Sequence, residues 1–137
     1  MAVAARLAVA ALASSAVAGC AATQSPSPRE SLGSELDAKA SEWVKREHLV
    51  GAAARGAHLF AASGCLICHT YAGAGTRNLG ARDLTRVGRR RRARWIERYV
   101  ANPRRFGDQV MPVFGNAFSS RQVGELAAFL AASKGAA

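Results

Sequence analysis

Two of the three cysteines of this chain and one of its three histidines lie within five consecutive residues, Cys65-Leu66-Ile67-Cys68-His69. The preceding stretch, Gly56 to Ala62, is rich in helix formers. If that helix continues through the motif, residues three and four apart share one face, so Cys65, Cys68 and His69 would lie together. A single flat ligand could then contact all three side chains.

Three chemistries use a motif of this kind. Covalent haem attachment is the standard interpretation of C-x-x-C-H. A dithiol oxidoreductase would use the two cysteines as a redox pair with a lowered thiolate pKa. A zinc site would need a set of four ligands, of which the motif supplies a part. The motif alone leaves these three open.

Residues 1–19 are predicted to form an export signal. A short basic start is followed by about a dozen apolar residues, Leu7 to Ala18, which is too short to span a bilayer but typical of a secretory signal. The stretch Val17-Ala18-Gly19-Cys20 resembles a bacterial lipobox, in which the cysteine is lipidated and becomes the new N-terminus. Ordinary cleavage after Ala18, leaving Cys20 a free thiol, is the alternative.

Lipidation of Cys20 would anchor the mature protein to a bacterial membrane, because several acyl chains on one residue hold a protein stably. We therefore expect an extracytoplasmic protein, facing the periplasm or the outside of the cell membrane. Thiols tend to be oxidised there, so a disulfide between Cys65 and Cys68 is a further alternative.

The rest of the chain divides into a linker and one domain. Residues 20–50 are first rich in Ser and Pro and then charged, which predicts a tether with some helix, in which Ser34 could be a helix cap. Residues 51–137 would form the folded domain. A domain of this size often depends on a metal, a disulfide or a cofactor.

The domain is predicted to be all-α, because no convincing alternating strand pattern is present. Besides the helix before the motif, Arg92 to Ala101 carries an apolar stripe that ends at Asn102-Pro103. A third helix runs from Ser119 to Lys134 and begins with capping-box spacing. The loops between these helices are long and rich in glycine, which is unusual in a small domain unless the loops wrap something.

Met111 is the only methionine after Met1 and lies in a loop beside Pro112. A single loop methionine more often fills a core than binds a metal. Downstream of a haem-attachment motif, metal binding becomes the favoured interpretation of such a methionine, because Met/His is the axial ligation of cytochromes c. Met111 is therefore the candidate distal ligand, and we expect surface roles for His48 and His58.

From Gly51 to the C-terminus the chain resembles class I c-type cytochromes. It is similar to the cytochrome domains fused to haem-copper oxidase subunit II and to small soluble relatives. The resemblance is carried by the attachment motif and, in order, by Asp83 to Gly88, Trp95-Ile96, Asn102-Pro103, Met111-Pro112 and a final helix with Phe129. It implies a small cytochrome c fold of about three main helices, with long loops wrapped around one covalently bound haem c.

The resemblance also assigns roles to residues of the site. Cys65 and Cys68 would form thioethers to the haem vinyl groups, His69 would be the proximal iron ligand and Met111 the distal one. Trp95 would lie near a haem propionate, although core packing explains it equally well.

Two further expectations concern packing and the support of the proximal ligand. Gly56 and Phe60 would let the first helix cross the last one near Phe129. Relatives usually have a Gly-Pro whose proline carbonyl accepts the proximal histidine N–H. This chain reads Leu79-Gly80-Ala81-Arg82-Asp83 instead, so the residue that supplies the carbonyl is left open.

With both axial positions filled, the resemblance implies a one-electron carrier of a respiratory chain and no catalytic activity of its own. Three alternatives remain open. The first is a haem-based ligand sensor in which Met111 is displaced, and the second is a haem-bearing subunit of a larger oxidoreductase. The third is a dithiol oxidoreductase, for which the expected βαβ pattern is missing.

The formal net charge of +10 comes largely from ten arginines between Arg82 and Arg105, opposed there by Asp83 and Glu97. We do not expect nucleic-acid binding, because an exported protein rarely meets nucleic acid and no base-reading motif is present. Docking to an acidic redox partner, contact with anionic lipid, neutralisation of haem propionates and a simple solvated surface remain open.

Overall fold

The computed structural model describes residues 27–135. The described chain contains four α-helices: α1 (Pro28–Arg46), α2 (Gly51–Ala62), α3 (Ala93–Ala101) and α4 (Ser120–Ala132). Two short strands, β1 (Thr70–Tyr71) and β2 (Ala74–Gly75), pair antiparallel. Single 3-10 turns occur at Cys65–Ile67, Val87–Arg89, Pro103–Phe106 and Phe114–Asn116. The predicted all-α class is confirmed, and three α-helices lie within the described part of the predicted domain.

The predicted signal peptide, residues 1–19, and the predicted lipidation site Cys20 lie outside the described residues. Among the helices that are described, none combines the length and the apolar character needed to cross a membrane.

The crossing of α2 and α4 forms the centre of the fold. A Cβ at Gly56 would overlap the carbonyl oxygen of Glu125 and lie 2.9 Å from Phe129 Cβ, so only glycine permits this approach. Phe60 packs beside Phe129 with ring centroids 5.5 Å apart. The expected packing of the first domain helix across the last one is therefore confirmed.

Four aromatic rings fill the core: Trp43 of α1, Phe60 of α2, Tyr71 of β1 and Phe129 of α4. Each is at most 2% exposed. The Trp43 ring meets the Tyr71 ring edge-on at 4.8 Å between centroids. Large aromatic side chains dominate the energetics of a core, so the C-terminal half of α1 is held firmly against α2.

The start of α1 corrects the prediction about Ser34. The N-cap is Ser27, whose side chain accepts a hydrogen bond from the Glu30 N–H while Glu30 accepts one from the Ser27 N–H. This reciprocal capping box satisfies two helix-end donors. Ser34 consequently lies inside the helix, and the helical part of the predicted tether is longer than expected.

The ends of α3 and α4 follow the sequence signals closely. Asn102-Pro103 ends α3, and Ser119 with Gln122 forms the predicted capping box of α4. The predicted end of α4 at Lys134 is two residues too late. Ser133 stops the helix, and its hydroxyl donates back to the Phe129 carbonyl at 2.9 Å.

Candidate functional site

The Cys65–His69 segment forms a turn rather than a continuation of α2. Helix α2 ends at Ala62, Gly64 adopts a left-handed conformation with φ of 75°, and Cys65–Ile67 form a 3-10 turn. The prediction that one helix runs through the motif is therefore wrong, because the chain reverses at a glycine that tolerates positive φ. The His69 N–H still donates to the Cys65 carbonyl at 2.9 Å, which keeps the motif in one tight loop.

The main-chain carbonyls of this loop accept hydrogen bonds from the loop itself and from the segment that follows it. The Leu66 carbonyl accepts from Thr76 N–H at 2.9 Å, and the Cys68 carbonyl accepts from Asn78 N–H at 3.1 Å. The Ile67 carbonyl accepts from the Asn78 side chain at 2.9 Å and also from the Thr76 hydroxyl. Every carbonyl from Cys65 to Cys68 therefore has a partner, and the motif is held in one conformation.

The imidazole of His69 is oriented by a main-chain carbonyl. Its Nδ1 lies 2.8 Å from the carbonyl oxygen of Arg82. A carbonyl can only accept, so Nδ1 carries the proton in this bond and Nε2 of the neutral ring is free to bind a metal. Arg82 thus supplies the support that the missing proline left open.

The loop that carries this carbonyl is tied to residues just after His69. The Thr70 hydroxyl donates to Asp83 at 2.7 Å, Leu84 N–H donates to the Thr70 carbonyl at 2.9 Å, and Ala72 N–H donates to the Thr85 hydroxyl at 2.9 Å. Burial raises the pKa of Asp83, but the hydrogen bonds from Thr70 and Thr85 outweigh it, so the net pKa is lowered. Asp83 is therefore an ionised acceptor at neutral pH.

Cys65 and Cys68 are free, half-buried thiols. Burial raises the pKa of Cys65 to about 11, and the neighbouring Cys68 adds to the rise. A dithiol oxidoreductase needs the opposite shift, because the thiolate is the nucleophile. Within residues 27–135 no group of three or more His, Cys, Asp and Glu side chains could hold a metal ion, so the zinc interpretation has no support there.

Met111 lies in a loop that a single carboxylate organises. Oδ1 of Asp108 accepts the N–H groups of Val110 at 2.9 Å and of Met111 at 3.0 Å, while Oδ2 accepts the Tyr99 hydroxyl at 2.5 Å. The Met111 side chain is half-buried against the core. The roles of Asp108 and Tyr99 were not predicted from the sequence, although Asp is a common turn residue whose side chain accepts from main-chain N–H groups that follow it.

Charged groups near the His69 loop affect the pKa values of residues that hold the Met111 loop. The hydrogen bond from Tyr99 lowers the pKa of Asp108 most, the N–H groups of Met111 and Val110 lower it further, and a protonated His69 ring would add to the same lowering. Burial raises the pKa of Tyr99 to about 12, and Arg82 opposes that rise. The loop that contains Met111 is therefore within electrostatic reach of both His69 and the residue that supports it.

Trp95 belongs to an aromatic cluster beside the Met111 loop. Its ring stacks on Tyr99 at 4.9 Å, meets Phe106 edge-on at 5.4 Å, and has the Arg91 guanidinium 4.2 Å above it. The packing interpretation of Trp95 thus has direct contacts in its favour, and the propionate contact stays a prediction.

The contacts of the two other histidines are with α1 and its C-terminal end. His58 of α2 approaches Asp37 of α1, with Nδ1 and Oδ1 2.7 Å apart. His48 is exposed just after α1.

The residues present fit a covalently attached haem. The site combines two thiols, an imidazole with one free nitrogen and a nearby thioether, which is the donor set of a c-type haem. Apolar side chains next to these donors are exposed: Ile67 by 67%, Leu79 by 75% and Val110 by 61%.

Comparison with known families agrees with this chemistry. The model of the family described as "Cytochrome C oxidase, cbb3-type, subunit III" matches residues 51–130. Neither the curated proteins nor the solved structures contain a significant match. The matched range covers more than half of the chain and includes the attachment motif, α2, α3 and most of α4. The chain therefore belongs to this family, and its domain is a class I c-type cytochrome, which implies that it binds haem c and transfers electrons.

Proposed function

We propose that this protein is a one-electron carrier with haem c attached through Cys65 and Cys68, and with His69 and Met111 as axial iron ligands. The observation that carries the proposal is the hydrogen bond from His69 Nδ1 to the Arg82 carbonyl. It fixes the tautomer and the ring orientation that a proximal ligand needs.

When bound, the haem supplies a couple between ferrous and ferric iron. The chain's own residues would hold the haem in the protein and set the reduction potential of this couple. Cys65 and Cys68 would prevent dissociation of the cofactor, and the hydrogen bond to Arg82 would raise the basicity of the His69 ring. The Met111 thioether would favour the reduced state and so raise the potential.

The loop geometry favours a carrier over a ligand sensor. A sensor would release Met111 to admit a small molecule, whereas Asp108 ties the Met111 N–H and is itself held by Tyr99. Carbon monoxide added to the reduced protein at neutral pH should therefore bind slowly or not at all. Ready binding would favour the sensor.

An extraction and a spectroscopic measurement test the proposed site. Acidified acetone should leave the porphyrin attached to matured wild-type protein. Met111→Ala should keep the haem attached but lose the low-spin, Met-ligated spectrum, and His58→Ala should leave the spectrum unchanged. Extraction of the haem, or an unaltered Met111→Ala spectrum, would contradict the proposed attachment or the proposed distal ligand.

We also propose that the carrier works outside the cytoplasm, anchored through a lipid on Cys20, in a respiratory chain. The matching family is described as a subunit of an oxidase, which supports exchange of electrons with a larger oxidoreductase, as a separate carrier or as one of its subunits. Membrane fractionation of wild-type protein and of Cys20→Ser tests the anchor, since loss of the lipid should release a protein that still contains haem.

The partner surface is proposed to be acidic. All ten arginines between Arg82 and Arg105 are exposed, and none of them forms an ion pair with another described residue. Helix α3 carries two of these arginines, Arg94 and Arg98, and also fixes the Met111 loop through Tyr99. Complementary charge would raise the association rate and make it sensitive to salt. Reduction by the native partner should therefore slow as ionic strength rises, and an insensitive rate would exclude docking by this surface.

A further inference from the structure

Helix α1 precedes the range that the family model matches, which begins at residue 51. It is nevertheless part of the core, since Ala40 and Trp43 are buried. Its C-terminal end reaches the segment that follows His69, and nothing in the family match assigns a role to this contact.

The contact is a hydrogen bond between a nearly buried carboxylate and a buried tyrosine. The Tyr71 hydroxyl lies 2.8 Å from both carboxylate oxygens of Glu47, whose side chain is 8% exposed. Arg46 lies 3.2 Å from the same carboxylate. The hydroxyl oxygen of Tyr71 is also 3.0 Å from Ser133 Oγ at the end of α4. Tyr71 is therefore fixed between the ends of two helices.

Tyr71 lies two residues after His69, and its immediate neighbours hold the loop that supports the histidine. Thr70 bonds Asp83 and Leu84, and Ala72 bonds Thr85. The carbonyl that accepts from His69 belongs to Arg82, which directly precedes this group. Hydrogen bonds, joined by short stretches of main chain, thus connect Glu47 through Tyr71 and its neighbours to the support of His69.

We propose that Glu47 is a positioning residue for the proximal histidine, acting through Tyr71 on the loop that supplies the Arg82 carbonyl. The proposal rests on the proposed function, because it concerns the ligand role of His69. A firm bond from Nδ1 to a carbonyl makes the imidazole a better electron donor. That effect stabilises ferric iron, so loosening the support should raise the reduction potential.

The test compares four variants of the holoprotein: Glu47→Ala, Glu47→Gln, Tyr71→Phe and the control Glu42→Ala. Glu42 lies on α1, the helix that Glu47 caps. Its side chain is 68% exposed and pairs with Arg46 at 3.7 Å. The measurements are the reduction potential and the hydrogen exchange of the Ala72 and Leu84 amides, which bridge the two segments.

Glu47→Ala and Tyr71→Phe should raise the potential and speed exchange of both amides roughly fivefold to tenfold, as expected for the loss of one hydrogen bond. Glu47→Gln should stay close to wild type, because its amide oxygen still accepts from the Tyr71 hydroxyl. Glu42→Ala should change neither quantity. If Glu47→Ala yields too little holoprotein, Tyr71→Phe carries the test, since it keeps the ring packing.

An unchanged potential and unchanged exchange in Tyr71→Phe would overturn the proposal. A rise in Glu47→Gln equal to that in Glu47→Ala would also overturn it, because charge rather than position would then be responsible. These outcomes differ from a failure of the proposed function. In that case the wild-type protein itself would lack covalent haem or a His-ligated spectrum.

Discussion

The loop that carries His69 and the loop that carries Met111 are held by different kinds of contact. Around His69, every main-chain carbonyl from Cys65 to Cys68 accepts a hydrogen bond, and the histidine ring itself bonds to a main-chain oxygen. Around Met111, one side chain, Asp108, accepts two N–H groups and one hydroxyl. The proximal side is thus fixed by the fold, whereas the distal side depends on a single carboxylate. We expect the distal side to be the easier one to open.

The largest effect should come from disturbing the proximal backbone. A Cβ at Gly75 would overlap the His69 carbonyl and lie 2.9 Å from the Leu66 carbonyl. Gly75→Ala should therefore destabilise the holoprotein by about 1–3 kcal/mol beyond the cost of its positive φ. Denaturant unfolding of the holoprotein measures the change.

Gly73→Ala is the matched control for this variant. Gly73 lies in the same hairpin with φ of 81°, against 88° at Gly75, but a Cβ there would meet nothing within 4 Å. Both variants share the backbone strain, so only Gly75→Ala should add a steric cost. Equal losses of stability would show that the close approach to His69 is not what fixes the proximal loop.

A smaller and more local effect is expected from Asp108→Ala. Loss of the acceptor should weaken the Met111 loop by roughly 1 kcal/mol, the usual net contribution of an intramolecular hydrogen bond, because the Asp108 carboxylate is accessible to water. On heating, the Met-ligated absorption band should disappear at a lower temperature while the haem stays attached and global unfolding changes less. Asp37→Ala removes an exposed acid of α1 that pairs with His58 and should leave the band unaffected. If Asp108→Ala retains the wild-type profile, the distal loop does not depend on this carboxylate.

The smallest effect concerns pH and the proximal loop. The folded-state pKa of Asp83 lies below its ordinary value of 3.8, so its charge stabilises the fold above that value. The contribution is lost as the pH falls through the lowered folded-state pKa. Unfolding free energies of wild type and Asp83→Asn should differ at neutral pH and converge in strong acid. A difference that is constant across this range would exclude a role for the charge.

Local signals in the sequence predicted much of the fold. The apolar stripe and the Asn102-Pro103 pair located α3, and Ser119 with Gln122 located the start of α4. Gly56 was expected at the helix crossing and is found there. The expected continuation of α2 through the motif does not occur, because Gly64, a residue of low helix propensity that favours the left-handed conformation, ends the helix first.

The candidate site was less predictable where it depends on the backbone or on distant pairs. The support of His69 comes from a carbonyl, which every residue type possesses, so no side-chain pattern could reveal Arg82. The bond between Glu47 and Tyr71 joins residues 24 apart in the chain, beyond the reach of helix or turn periodicity. The ligand role of Met111 stays a prediction. The structure shows only that its loop is held by the hydrogen bonds to Asp108.

The hydrogen bond of the His69 ring ends on a main-chain oxygen, that of Arg82. This choice of acceptor affects how the arginine-rich surface can vary. Substitution of Arg82 by another residue leaves the carbonyl in place, while the exposed side chain changes freely. If His69 binds the iron and the arginine-rich surface meets a partner, as proposed, the charge of that surface can change close to His69 without loss of the carbonyl that supports the ring. The proposed docking surface and the proposed support of the iron ligand would then share this stretch of chain but use different atoms of it, the exposed side chains and a main-chain oxygen.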